Sequence, residues 1–464
     1  MLKVCGNVIF NGSEGDVLTG DAIDIYGVTN TIFGNLNDFG KGEVILAKGG
    51  KFFADKLSGD MGVSANVVLN GFKDKYVESD ALQAKDVNEL NLASKSYMFD
   101  AKSSENEKGA YDVVLSRKSF NDLIENESVA KFLEDNYKKE NNESLYYNLK
   151  KADDMHSFSK KVANNLGESI LSNFRSENII LYRNLSRDFD EGLNSDEKYM
   201  GGYKYVDMSL DDDGNIEGGD VKANVAYGMI KNKKNKNLDY GVGVSIATID
   251  GKYGDKGSRD SKSFGVWVPV KYKLDNGIDI SSKLYLGYND TKYERFGDFG
   301  KRKANFDEYQ YGINAILSKD IDLVNDIKFN PLTEINLYGA NQKGFDEGSI
   351  NNAIRVDDNN SIIAELGLGA YLKKDIVFDD NSKLGVKLGG IYYVEFFEDG
   401  KSFDIEMNGM GGKYSILHRK NMNRAVLALR ANYDYNDFSV YGGIEKEFGN
   451  NDALLIDVGA KYNF

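Results

Sequence analysis

From residue 199 to its end the chain alternates apolar and polar residues in one long segment after another, and that alternation limits what it can fold into. Successive side chains of a strand point to opposite faces. In IDISSKLYLGY, Ile278, Ile280, Ser282, Leu284, Leu286 and Tyr288 therefore share one face, opposite Asp279, Ser281, Lys283, Tyr285 and Gly287. SIIAELGLGAYLKK sets Ile362, Ala364, Leu366, Leu368, Ala370 and Leu372 against Glu365, Gly367, Gly369, Tyr371 and Lys373. NRAVLALRANYDY sets Ala425, Leu427, Leu429, Ala431 and Tyr433 against Arg424, Arg430 and Asn432. The same pattern runs at about 199–209, 220–231, 238–249, 262–274, 306–318, 326–340, 383–396, 437–448 and 454–464, which makes twelve strands, an even number.

The links between these strands sort by length. The odd ones, DDDGNIEGG, DGKYGDKGSRD, DTKYERFGDFGKRKAN, QKGFDEGSINNAIRVDD and 397–422, are long; the even ones, KNKKNK, LDNG, KDIDLVN, DIVFDDN and YND, are short. Only GNN is short where a long link is expected. Short turns at one end, long loops at the other, an even strand number and alternation describe an outer-membrane barrel. A soluble antiparallel domain is the competing reading, but its strands typically run about 5–6 residues. A mean hydropathy of −0.48 does not decide against a barrel, because half of each strand faces a polar lumen. Tyr240, Tyr272, Tyr288, Tyr392, Tyr433 and Tyr462 near strand ends suit an interfacial girdle. Pro269 and Pro331 inside strands predict local irregularity. The last segment, LLIDVGAKYNF, keeps its apolar face, broken only by Leu455, up to Phe464, so something must hold that terminus.

Several function classes are excluded by composition. A net charge of −15 without a basic stripe argues against nucleic acid, whose phosphates need a basic face. The single Cys5 allows no internal disulfide framework and no Cys-based zinc site, and His156 and His418 are too far apart in sequence for an all-His metal site. No cofactor site is read: no Gly-rich loop follows a strand and opens a helix, and GDFGK at 297–301 is a loop. No Ser/His/Asp set can be built either. No apolar run approaches the length of about 20 residues that a spanning helix needs, so a membrane role requires strands. The start MLKVCGNVIFNG lacks a basic n-region and an apolar h-region, and reads either as a cytoplasmic start or as the back end of a longer chain.

Residues 1–118 are short apolar stretches between Gly and Asn, such as NVIFNG, AIDIYG and ANVVLNG, loosely spaced. They suit the last coils of a parallel β-helix or an antiparallel cap. Residues 119–152 turn helical: Phe120, Leu123, Ile124, Val129, Phe132, Leu133 and Tyr137 recur at steps of 3 and 4, with Ser119 as N-cap. Residues 153–198 hold a second helix with a thin stripe, Met155, Phe158, Val162, Leu166, Ile170 and Phe174, ringed by polar residues. It suits a solvated surface helix or a helix threaded through a polar tube.

The rungs of 1–118, the helix of 153–198, the twelve-strand meander of 199–464 and the end AKYNF with Tyr462 and Phe464 together resemble a type Va autotransporter. The resemblance spans nearly the whole chain; only the C-terminal signature is a sharp motif. It implies a mainly β protein, a 12-stranded transmembrane antiparallel barrel with a pore helix, preceded by a helical linker and a β-helix-like passenger remnant. It further implies an outer-membrane monomer that anchors and exports its own passenger to the cell surface, in contact with outer-membrane lipid. Tyr462 and Phe464 would be read by the barrel assembly machinery. A porin or solute channel is the alternative, as is a member that cuts itself in the pore helix, here between Asn164 and Asn165 with a lumenal carboxylate such as Glu365, Glu395 or Asp457 orienting the attacking amide. An adhesive passenger rests on the resemblance alone. Lys271, Lys283, Glu365, Lys387, Glu395, Arg424, Arg430, Glu445, Asp457 and Lys461 are expected to line the lumen, facing Lys160, Lys161, Glu168 and Arg175 of the helix.

Overall fold

The computed structural model describes residues 2–5, 8–10, 22–26, 31–33, 43–46, 48–49, 52–379, 381–420, 423–449 and 451–463. Two compact units result: Met1–Asn165 with Glu406–Tyr414, and Leu166–Ile405 with Ser415–Phe464.

In the first unit Leu2–Cys5, Ala22–Tyr26, Glu43–Leu46, Phe52–Val63 and Lys75–Ser94 pair in parallel one after another. The ladder then turns antiparallel, Lys75–Ser94 pairing with Tyr111–Arg117 and that strand with Phe99–Glu105. Coils and cap, the two readings of this region, thus follow each other. The helical stretch after them divides into α1 (Phe120–Leu123) and α2 (Glu127–Lys138), followed by α3 (Glu143–Leu149) and α4 (Met155–Leu166). Ser119 caps α1 through Asn121 N at 3.3 Å, and Asn126 caps α2 through Ser128 N and Val129 N. The predicted stripe of Phe120, Leu123, Val129, Phe132, Leu133 and Tyr137 is buried.

A paired charge ties α2 to the cap. Arg117 meets Glu134 through two parallel bonds of 2.8 Å, reaches Asp74 at 2.6 Å and lies 4.4 Å from the ring centre of Tyr137. Glu134 also accepts Phe120 N at 3.1 Å. These bonds, led by the one from Arg117, hold the Glu134 carboxyl down at about 2, against an ordinary value of 4.5.

The second unit is a closed meander of twelve strands: β1 (Tyr199–Leu210), β2 (Gly219–Asn235), β3 (Leu238–Tyr253), β4 (Gly257–Lys273), β5 (Ile278–Gly297), β6 (Gly300–Lys319), β7 (Ile327–Gln342), β8 (Asn359–Asp379), β9 (Ser382–Asp399), β10 (Arg424–Tyr435), β11 (Phe438–Phe448) and β12 (Asn451–Tyr462). Each pairs antiparallel with the next, and β12 returns to β1 from Tyr199↔Tyr462 to Leu210↔Asn451. Every strand has two neighbours, so no edge is left. The outward residues are apolar and bare. Leu286 is 67% exposed, Ile246 59% and Leu427 56%, a continuous surface that a water-soluble domain does not carry.

Two long links of the sequence reading are instead strand. DGKYGDKGSRD and DTKYERFGDFGKRKAN continue β3 into β4 and β5 into β6, closed by tight turns at 254–256 and 298–299. Alternation persists there, but the outward residues are charged, so the stretches resemble loops. Only the links at 211–218, 343–358 and 400–423 stay long. The prolines fall at gaps in the ladder. Pairing of β3 with β4 skips from Tyr240↔Val270 to Gly243↔Trp267 across Pro269, and Pro331 lies just beyond the last β6 partner of β7, Ser318↔Leu332.

Because the Glu134 carboxyl is depressed in the folded state, its contribution is complete above the unfolded value near 4.5 and is lost as pH falls toward about 2. Limited proteolysis of the full chain across this window is expected to show the 52–165 region opening as pH drops. Glu134→Gln should already be susceptible at neutral pH and should lose most of that pH dependence.

Candidate functional site

The helix that fills the barrel is built from α5 (Glu168–Leu171) and α6 (Phe174–Leu193). A single helix through 153–192 is ruled out by Gly167, whose backbone sits at φ +86°, a left-handed conformation that ends α4. Nearly every side chain of α6 is buried, charged ones included.

Its partners form layers down the barrel. At the first turn Glu177 accepts from Arg259 of β4 at 2.7 Å and from Tyr253 of β3 at 2.6 Å, while Asn178 bridges Arg259 and Glu308, at 2.8 and 2.7 Å. Arg175 pairs with Glu398 on the other side. Midway, Tyr182 stacks with Trp267, and lies 5.3 Å from both Tyr285 and Tyr338. Its ring rests on Gly312, where an added Cβ would meet it at 2.6 Å.

Below this aromatic layer lie the ion pairs. Arg183 meets Glu447 and, at 3.5 Å, Glu365; Arg424 of the wall contacts the same two carboxylates. One turn on, Arg187 reaches Glu445 at 2.5 Å. Asp188 is held by Lys204 and Arg430, both at 2.8 Å, Asp190 by Lys283 at 2.9 Å, and Glu191 by Lys387. Arg183 and Arg187, four apart and so on one helix face, meet acids of β8 and β11. Glu177 and Asp190 meet bases of β4 and β5 on the opposite wall. With Asp188 and Glu191 on Arg430 and Lys387, each of these charges meets its opposite on the wall, which fixes the rotation of the helix.

Contacts at the helix ends give its direction. Ser169 O accepts Glu217 N at 2.9 Å beside the β1–β2 link, and Ser172 Oγ donates to Leu417 O at 2.6 Å in the β9–β10 link. At the far end Lys198 N donates to Asn463 Oδ1 at 2.6 Å, next to the even turns. The helix thus enters at the mouth of the long, odd links and leaves at the mouth of the short ones.

The autotransporter beta-domain family profile matches residues 198–453. The chain belongs to the autotransporter family. It is an outer-membrane translocator that exports its passenger to the cell surface. Autotransporter translocator domains are generally not enzymes. Among solved structures the chain is similar to the translocator domain of the autotransporter NalP from Neisseria meningitidis, at 11% identity, covering 62% of this chain and 96% of that one, with a TM-score of 0.52. It also matches the beta domain of the Bordetella autotransporter BrkA at 16% identity, covering 58% and 100%, with a TM-score of 0.45. No curated protein sequence matches it.

With passenger outside, the odd-link mouth of the autotransporter barrel is the extracellular one. Among the expected wall residues Lys283, Glu365, Arg424, Arg430, Glu445, Asp457 and Lys461 are buried at the lumen, Lys271 reaches Asn194 at 2.5 Å and Lys387 reaches Glu191; Glu395 is half-buried. The expected helix partners are divided: Lys160 and Lys161 belong to α4 and the first unit, whereas Glu168 opens α5 and Arg175, in α6, pairs with Glu398 of the wall. Arg183, Arg187, Asp188, Asp190 and Glu191 do the pairing, and RNLSRDFDE, with charge on every face of its helix, is the signal for them. Leu455, the break in the terminal pattern, is fully buried beside Val206, so part of the inner wall is apolar where the helix packs. Asn164 and Asn165 lie buried near the end of α4, before Gly167. Tyr462 closes the β12 ladder against Tyr199 and Phe438, while Phe464 lies outside the described residues. Among the described residues no group of three or more His, Cys, Asp or Glu is placed to hold a metal ion.

Removing one partner of a buried pair leaves an uncompensated charge at a cost of about 3–5 kcal/mol. Arg183→Ala is therefore expected to leave Glu365 and Glu447 with Arg424 alone between them and to lower the temperature at which the folded band on unboiled gels gives way to the unfolded one. Arg183→Glu with Glu447→Arg should recover part of that loss, and Arg183→Glu alone should be worse than Arg183→Ala.

Proposed function

We propose that the helix α5–α6 is the seal left in the pore once the passenger has crossed, and that residues 1–118 are the passenger's C-terminal end joined to it by the linker 119–152. The observation that carries this is the lumen itself: a helix with buried charges is paired charge by charge to the wall, so the pore is closed by the same chain that was exported. A porin needs an open path, and here a buried helix occupies the lumen.

The same reading keeps the passenger attached. Asn164 and Asn165 precede Gly167, whereas the lumenal helix begins at Glu168, so the carboxylates of the wall are paired to residues further along the chain. Tyr462 and Phe464 are proposed as the segment read by the barrel assembly machinery, since the last strand must be captured before it can join β1. The apolar outer face meets outer-membrane lipid, and a barrel without a free edge has no need of a second copy. Adhesion by the passenger rests on family resemblance alone.

Planar-bilayer conductance separates translocator from channel. The intact protein should be nearly silent, and deletion of 168–193 should open large, steady currents; a fully conducting intact protein refutes the seal. In cells, Asn164→Asp should leave the banding pattern unchanged from that of the parent, while loss of a fragment present in the parent would show self-cleavage. Deleting Tyr462–Phe464 should reduce the assembled barrel severalfold in outer-membrane fractions.

A further inference from the structure

On β2 to β6 the outer face changes character above the apolar band. Three rows of polar residues cross these strands in register. The first is Asn224, Thr248, Lys262, Asp290 and Asp307; the second Lys222, Asp250, Asp260, Lys292 and Asn305; the third Asp220, Lys252, Ser258, Glu294 and Lys303. They begin one outward position beyond Phe264 and Tyr288. Two outward positions are about 6.6–6.8 Å apart along a strand, and the headgroup zone is about 5–8 Å deep on each side of the hydrocarbon. The first two rows thus fall at headgroup depth on the extracellular side.

Lys222, Lys262 and Lys292 of the first two rows and Lys252 of the third, whose long side chain can reach back to the second, stand on four successive strands, are exposed, and make no ion pair among the described residues. Lys303, by contrast, is tied to Glu294 at 2.6 Å. The carboxylates have neighbours of both signs: Asp250 lies between Lys222 and Asp260, Asp260 between Asp250 and Lys292, and Asp290 between Lys262 and Asp307. Like charges at these positions repel unless a counter-ion sits between them. The far wall lacks this pattern. Beyond Asn341 and Asn360, which lie in the register of Tyr288, the next outward residue of this wall is Lys343, paired with Asp358 at 3.1 Å, and the lysine of β11, Lys446, is paired with Asp452 at 3.0 Å.

We propose that this one-sided strip docks the phosphorylated headgroup of an outer-leaflet glycolipid, with the four lysines holding its phosphates and a divalent cation bridging phosphate to the opposed aspartates. Unpaired ammonium groups at headgroup depth are point-charge phosphate binders. A phosphate-bound cation offsets the Asp250–Asp260 and Asp290–Asp307 repulsions once the lysines opposite them, Lys222, Lys292 and Lys262, turn to phosphate. The strip rests on the membrane reading of the barrel, and loss of heat-modifiable migration on gels would report failure of that reading separately.

The full chain in a zwitterionic detergent is titrated with lipid A and with its dephosphorylated form, with and without magnesium, and binding is read by native mass spectrometry. The parent is expected to prefer the phosphorylated lipid, more so with magnesium. Lys222→Gln/Lys252→Gln/Lys262→Gln/Lys292→Gln should weaken that binding by on the order of tenfold or more. Lys236→Gln/Lys273→Gln, at the opposite rim, should not. The fourfold Lys→Arg variant, keeping charge, should bind as the parent does. Equal binding of the two lipids by the parent overturns the proposal, as does an undiminished preference in the Gln variant. Should the Gln variant lose its folded gel band, the salt dependence of parent binding decides: affinity that does not fall as salt rises overturns the proposal.

Discussion

A strand that crosses a bilayer must have every backbone N–H and C=O paired, since no water is available to an open edge. In this autotransporter that requirement is met by the return of β12 to β1 over their whole length. Closure by twelve strands leaves a lumen, and the lumen raises the second problem, because inward side chains of both signs would otherwise be buried without partners. The helix α5–α6 meets that need. Each of its charges in the last three turns faces an opposite charge on the wall, so barrel and helix each supply the partners the other would lack.

The lumen wall carries acids and bases at fixed places, each matched to a charge of the helix, and this gives the seal its specificity. Ion pairs buried in this way contribute little net stability against apolar packing, yet a mismatch is expensive. A helix turned through half a revolution would place Arg183 and Arg187 toward Arg259 and Lys283, and Glu177 and Asp190 toward Glu398 and Glu445. The aromatic layer of Tyr182, Trp267, Tyr285 and Tyr338 adds depth control, since Tyr182 fits only where Gly312 leaves room. Position along the pore and rotation about it are thus fixed by separate interactions.

Much of this was legible in the residues. The twelve strands, their closure, the lumenal character of Glu365, Arg424, Arg430 and Glu445, and the outward tyrosines all follow from a period of two. Three features were hidden for stated reasons. The extensions of β3 to β6 carry charge on their outer face, as a loop does, so alternation of polarity fails there although alternation of direction continues. The lumenal helix carries charge around its apolar Leu181, Leu185, Phe189 and Leu193, so its hydrophobic period is diluted and the α4 stripe stands out instead. Leu455 breaks the terminal pattern because its neighbour inside the barrel is apolar.

The sequence by itself determined the architecture, because alternation, strand number and the absence of a spanning helix leave a lipid-facing cylinder as the way to satisfy both solvent and backbone. It also determined that the tail is held, since a strand apolar on one face to its end needs a partner. Tertiary structure alone decided which segment occupies the pore and which charges meet. Those contacts join residues up to 264 positions apart, as Arg183 and Glu447 are. Local pattern has no knowledge of such distances, and a charged residue in a helix looks the same whether water or a buried carboxylate awaits it.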